Sequence, residues 1–107
     1  MSVRSPQQCR DLAEVRVEID RIDNQLVDTI AERMGYVERA WQLKLGSRQE
    51  ANVPWRNQQV IDKVRARASD KGVPADLCEA LWRQMIGWFI QYEEEKLREE
   101  IEGKPSP

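Results

Sequence analysis

Arg33 and Lys44 stand where an apolar helix face would ordinarily carry aliphatic side chains. Within the stretch "ERMGYVERAWQLKLG", residues 32–46, Met34, Val37, Trp41 and Leu45 recur at steps of three and four, the spacing of one side of a helix. On a helical wheel of about 100° per residue, Arg33 and Lys44 fall within about 40° of the centre of that stripe, and Arg16 lies on its flank. Arg10, Arg21 and Arg39 project from the opposite side, where water would solvate them. A single inward cation is readily accommodated by snorkelling to water or by pairing with a carboxylate such as Asp23. Three in one helix strain that explanation, because each buried, unpaired charge is costly. A bound anion that neutralises them when it arrives is the more economical reading.

Spacing narrows the ligand. Arg33 and Lys44 are three helical turns apart, roughly 17 Å along the axis, so two long side chains leaning together can grip one small molecule. Arg16 lies about 25 Å from Arg33 on the same axis, too far to share that molecule. If all three cations serve one site, Arg16 must come from a second chain. The chemistry implied is recognition of a small polyanion, a dicarboxylate above all, in a helical pocket between protomers.

Composition removes several other classes. The 107 residues carry 34% charged side chains with a net charge of −2, which speaks against nucleic-acid binding by bulk basicity. There is no histidine, so neither a Ser-His nor a Cys-His pair exists, and two cysteines alone, Cys9 and Cys78, do not make a zinc site. Both thiols are expected to be free, as in a reducing compartment. The five glycines are scattered singly, with no phosphate-cradling loop. No apolar run approaches the roughly 18–20 residues that span a membrane, and the N-terminus lacks the apolar core of a signal peptide. The expectation is a cytoplasmic protein without membrane or nucleic-acid partners.

The elements that must position the cations are helices. Ser5-Pro6 and then Asp11, with Glu14 three residues on, are two successive helix-start signals. Leu12, Val15, Ile19, Ile22, Leu26, Ile30, Met34, Val37, Trp41 and Leu45 continue one nearly unbroken helix, which tolerates Gly35 and stops near Gly46 and Ser47. A loop from Gly46 to Val53 closes at Pro54, and a second helix runs from about Trp55 to Ser69 with Val60, Ile61, Val64 and Ala68 inward. Gly72 ends it, and Pro74 opens a third helix whose main apolar face is Leu77, Leu81, Met85, Trp88, Phe89 and Tyr92. The fold class is therefore all-α: three helices with a very long first one. The expected organisation is a leader over residues 1–8, a helical domain over 9–101 and a flexible tail over 102–107. A first helix of about 35 residues is about 52 Å long, whereas a compact chain of this size has a radius of gyration near 13 Å. Its stripe needs cover, and an intertwined homodimeric bundle supplies it.

The segment "LAEVRVEIDRIDNQLVDTIAERMGYVERAWQLK" resembles the long first helix of the all-α (AroQ-type) chorismate mutases, and especially the branch that includes the bacterial isochorismate-pyruvate lyases. The resemblance covers roughly Cys9 to Leu97. It implies that Arg16, Arg33 and Lys44 hold the substrate's two carboxylates and ether oxygen, with Arg16 donated by the partner chain, and that residues 46–53 close over the site. Two positions depart from the family pattern. Where an arginine near the start of the second helix binds a carboxylate, Gln58 or Gln59 stands in register and Arg56 slightly earlier; the contact is assigned to Arg56, with Gln59 beside it. Where a glutamine often donates to the ether oxygen, this chain has Glu93, which donates only when protonated. The small polar contact one turn earlier is Phe89 here.

The implied reaction is the pericyclic rearrangement of chorismate to prephenate, without cofactor, metal or covalent intermediate. Lys44, Glu93 and Arg33 are the expected catalytic groups, and Arg16, Arg33, Lys44, Arg56 and Gln59 the substrate-binding ones. Activity that needs protonated Glu93 should fall as pH rises through its ionisation, and Glu93→Gln should flatten the profile. Three alternatives accompany this reading: an isochorismate-pyruvate lyase giving salicylate and pyruvate, a mutase acting on 4-amino-4-deoxychorismate, and a non-catalytic helical dimerisation module.

Overall fold

The computed structural model describes residues 2–47 and 51–102. Ser5-Pro6 opens a short 3-10 turn, Pro6–Gln8, in which the Ser5 N–H donates to Gln8 Oε1 at 2.8 Å. Asp11 then caps helix α1, Leu12–Ser47, its Oδ1 accepting the Glu14 N–H at 2.8 Å. α1 has 36 residues and passes through Gly35 without a break. One interior glycine costs about 1 kcal/mol relative to alanine, too little to end a helix of this length. The helix includes Gly46 and Ser47 rather than stopping before them.

Helix α2, Pro54–Asp70, takes Pro54 into its first turn, where a missing N–H is no loss. Its far end is a Schellman motif. Gly72 adopts φ +73°, the left-handed conformation that glycine enters without a Cβ clash. The Val73 N–H returns to the Ala68 carbonyl at 2.8 Å and the Gly72 N–H to that of Ser69 at 3.2 Å. Helix α3, Ala75–Glu102, follows Pro74, whose carbonyl accepts the Cys78 N–H at 3.4 Å. No strand occurs among the described residues, and the fold is all-α with three helices. The expected tail lies, beyond Glu102, outside the described residues, as do residues 48–50 of the expected loop.

The chain divides into two compact units, Met1–Tyr36 and Val37–Pro107. In the first, the leader folds onto the opening turns of α1, with Arg4 Nε 3.2 Å from Glu14 Oε2. The apolar stripe of α1 in this unit, Leu12, Ile19, Ile22, Leu26 and Ile30, is 45–67% exposed.

In the second unit a core exists. Ile61 of α2 is 1% exposed, and Trp41, Ala68 and Phe89 are also buried. Val60 and Val64, expected inward, are half-buried. α2 and α3 are also tied by charge: Arg65 of α2 donates to Asp76 at 2.9 Å and to Glu79 at 2.8 Å, while within α3 Arg83 donates to Glu79 at 2.7 Å. The hydrogen bonds from Arg83 and Arg65 hold the Glu79 carboxyl below the usual carboxylate range. The α3 face differs from expectation. Phe89 is buried and Met85 and Tyr92 are half-buried, but Leu77, Leu81 and Trp88 are more than half exposed. A single neighbouring helix covers only a strip of another, and the burial instead runs through Cys78, Trp82, Met85, Phe89 and Glu93. Both cysteines are free and half-buried.

Candidate functional site

Lys44 sits in the last turn of α1 and Glu93 far along α3, and the second unit joins them. Lys44 Nζ donates to Glu93 Oε2 at 2.6 Å and to the Ala51 carbonyl oxygen at 3.2 Å. The two side chains are 15% and 10% exposed, and Glu93 is the one buried charged residue among the described residues. Taking two charges out of water is expensive, and only close, well-aligned pairing offsets it.

A buried aromatic residue stands one turn before each member of the pair. Phe89 precedes Glu93 by one turn on α3, and Trp41 precedes Lys44 by one turn on α1; both are buried. The Phe89 ring meets those of Trp88 and Tyr92 edge-on, at centroid distances of 5.0 and 6.3 Å, while Trp88 and Tyr92 stack at 5.5 Å. The Trp41 indole N–H is satisfied by Glu38 Oε2 at 2.8 Å, so the ring is buried without an orphaned donor. A low local dielectric strengthens the Lys44–Glu93 attraction and makes either charge costly alone.

The other expected residues are placed as follows. Arg56 and Gln59 lie exposed on α2 and pair with each other, the guanidinium donating to Gln59 Oε1 at 2.6 Å. Arg33 is half-buried and Arg16 exposed, both on the part of α1 that belongs to the first unit. The carboxylate that meets Lys44 is Glu93 rather than the Asp23 considered for inward cations. A groove of about 380 Å³ between α2 and α3 is lined by Asn57, Ile61, Arg83, Ile86 and Ile90 among others, and neither Lys44 nor Glu93 lines it. Sequence reasoning missed the Ala51 carbonyl, since a backbone acceptor carries no residue-type signal. It also passed over Trp82, although the i, i+3, i+4 spacing from Cys78 and Met85 marks that face.

Chemically, the pair offers a fixed positive charge beside a carboxyl group. An ammonium can stabilise negative charge developing on a bound oxygen, and a carboxyl group can do so while it carries a proton. Among the described residues no group of three His, Cys, Asp or Glu side chains could hold a metal ion, and no helix is long and apolar enough to cross a membrane.

Residues 15–94 match the family described as chorismate mutase type II. The chain is also similar to the isochorismate pyruvate lyase of Pseudomonas aeruginosa, with 33% identity over 88 residues that cover 82% of this chain and 86% of the relative. The matched family region contains Arg16, Arg33, Lys44, Arg56, Gln59 and Glu93. With three helices, no strand among the described residues and a family match over most of its length, this chain belongs to the chorismate mutase type II family.

Proposed function

We propose that this protein is a chorismate mutase that works as a homodimer, each site binding the substrate dianion through Arg33, Lys44, Arg56 and Gln59 of one chain and Arg16 of the other. The observation that carries the reading is the buried Lys44–Glu93 contact at 2.6 Å, an ammonium and a carboxyl group fixed together, each one turn along its helix from a buried aromatic residue. Family membership supports a chorismate-like substrate. The exposed stripe from Leu12 to Ile30 supports a second chain as its cover. The domain that does this work spans residues 9–101, and its proposed setting is the cytoplasm.

Catalysis in such a site has two parts. The guanidinium forks of Arg33, Arg56 and Arg16 grip carboxylates bidentately and hold the flexible substrate in its folded, reactive conformer. As the ether C–O bond breaks and the new C–C bond forms, negative charge gathers on the ether oxygen. Lys44 and protonated Glu93 donate to that oxygen. Binding of a dianion beside Lys44 therefore competes with the Lys44–Glu93 contact. Glu93→Gln keeps a donor at that position without the charge and should retain turnover, whereas Glu93→Ala should lower it; full activity in Glu93→Ala would remove Glu93 from the mechanism.

A second reading is an isochorismate-pyruvate lyase, favoured by the similarity to the Pseudomonas aeruginosa enzyme. The same cations suit both dianions, so the products decide. Purified protein is incubated separately with chorismate and isochorismate and the products are resolved by chromatography, with Arg33→Ala as control. Prephenate from chorismate, lost in the control, supports the mutase. Salicylate and pyruvate from isochorismate, formed much faster than any prephenate, support the lyase. Neither product would overturn both and leave a helical dimerisation module.

A further inference from the structure

We propose that Arg4 is a positioning residue: the leader, through Arg4, braces the opening turns of α1 so that Arg16 is held ready for the active site of a second chain. This rests on the reading of Arg16 given above. Arg4 ties the leader to α1 at two points, and Arg10 and Arg21 complete the network around the same two carboxylates. The Arg4 backbone N–H donates to Glu18 Oε1 at 3.3 Å, and Arg4 Nε lies 3.2 Å from Glu14 Oε2. Arg10 Nε meets Glu14 Oε1 at 3.1 Å, and Arg21 Nε meets Glu18 Oε2 at 3.0 Å. The side chains of Glu14 and Glu18 are 15% and 14% exposed, low for carboxylates on an otherwise open helix.

The direction of the brace matters. Glu14 and Glu18 each lie about 160° around the wheel from Arg16. The leader therefore occupies the back of α1 and leaves uncovered the side that carries Arg16 with Leu12, Ile19 and Ile30, all of them exposed. Helix ends fray because their first N–H groups lack intrahelical partners, and α1 begins only four residues before Arg16. Among the described residues of the first unit, the leader is the layer folded against those turns. The Glu18 carboxyl is held below its ordinary value first by Arg21 and then by the Arg4 backbone, in keeping with a formed network.

If the brace is lost, the fraction of chains with Arg16 correctly presented falls, and the apparent substrate affinity falls in proportion. Chemistry in the assembled complex is unaltered. Arg4→Glu is therefore expected to raise KM about three- to fivefold, the scale of a small surface ion-pair network, with kcat unchanged. Arg4→Lys, which keeps a cation opposite Glu14, should hold KM near the wild-type value, and amide exchange over residues 12–18 should quicken in Arg4→Glu but not in Arg4→Lys. Unchanged exchange in Arg4→Glu, or a fall in kcat and thermal midpoint with KM unmoved, would overturn the brace. Arg16→Ala, measured alongside, separates the two levels. If it leaves KM and kcat untouched, the reading of Arg16 fails and the positioning role with it. If it is damaging while Arg4→Glu is silent, the brace alone is wrong.

Discussion

In the first unit the apolar residues of α1 from Leu12 to Ile30 stand about half open to water, whereas in the second Trp41, on the same stripe of the same helix, is buried along with Ile61, Ala68 and Phe89. The pattern is identical in the two stretches; what differs is the supply of partners. Periodicity is local information and says which side of a helix will be covered, but not by which chain. Where α2 and α3 are at hand, Trp41 is covered and Val37 half-covered, though Leu45 stays 41% exposed, and an ammonium can be held against a buried carboxyl group. Where only the leader is at hand, it takes the polar back of the helix and leaves the apolar side for another molecule. Fully burying one aliphatic side chain contributes about 1.5–3 kcal/mol, and these five, already about half covered, keep roughly half of that in reserve for the proposed dimer.

The contrast can be broken at either end, and the largest effect is expected at the closed one. Lys44→Ala should lower kcat by about 10²- to 10³-fold, the scale for losing one donor to a developing oxyanion, as read in steady-state kinetics on the substrate that turns over. It should also destabilise the fold by about 3 kcal/mol, because it leaves Glu93 buried without its cation. Ile61→Ala attacks the same unit through packing alone, and a loss of about 2–5 kcal/mol is expected in chemical denaturation. Leu26→Glu attacks the open unit: if the proposed dimer covers this stripe, sedimentation should show the variant as a monomer, with little change in the helical content of the chain. The smallest effect is at the Arg65–Glu79–Arg83 network. The folded state holds the Glu79 carboxyl below its ordinary value, so its contribution is full above the ordinary carboxylate range and is lost as pH falls through the depressed value. The thermal midpoint should therefore fall on acidification, and Arg65→Ala should make that fall shallower.

Much of this was legible in the sequence. The three helices, the use of Ser5, Asp11, Pro54 and Gly72 as punctuation, and the inward aim of Lys44 all follow from residue types at fixed spacing. α1 runs two residues past the loop start expected at Gly46, because that glycine weakens a helix without being obliged to end it. The exposed half of the α3 face, Leu77, Leu81 and Trp88, was not legible, since apolar periodicity does not reveal how many helices one chain can bring to bear. The leader's ties to Glu14 and Glu18 were hidden for a different reason. Charged side chains near a helix start fit solvation as well as pairing, and only three-dimensional proximity separates the two.

Sharing of the site between chains is the claim on which the rest depends, and mixing two crippled variants tests it most directly. Arg16→Ala and Lys44→Ala are each expected to be nearly inactive alone. Unfolded together in equal amounts and refolded, half the dimers carry one of each chain, and one of their two sites is then intact. The account predicts that about a quarter of wild-type activity returns on mixing. No recovery, from chains shown to exchange into mixed dimers, would contradict it and place all the working residues of a site on a single chain.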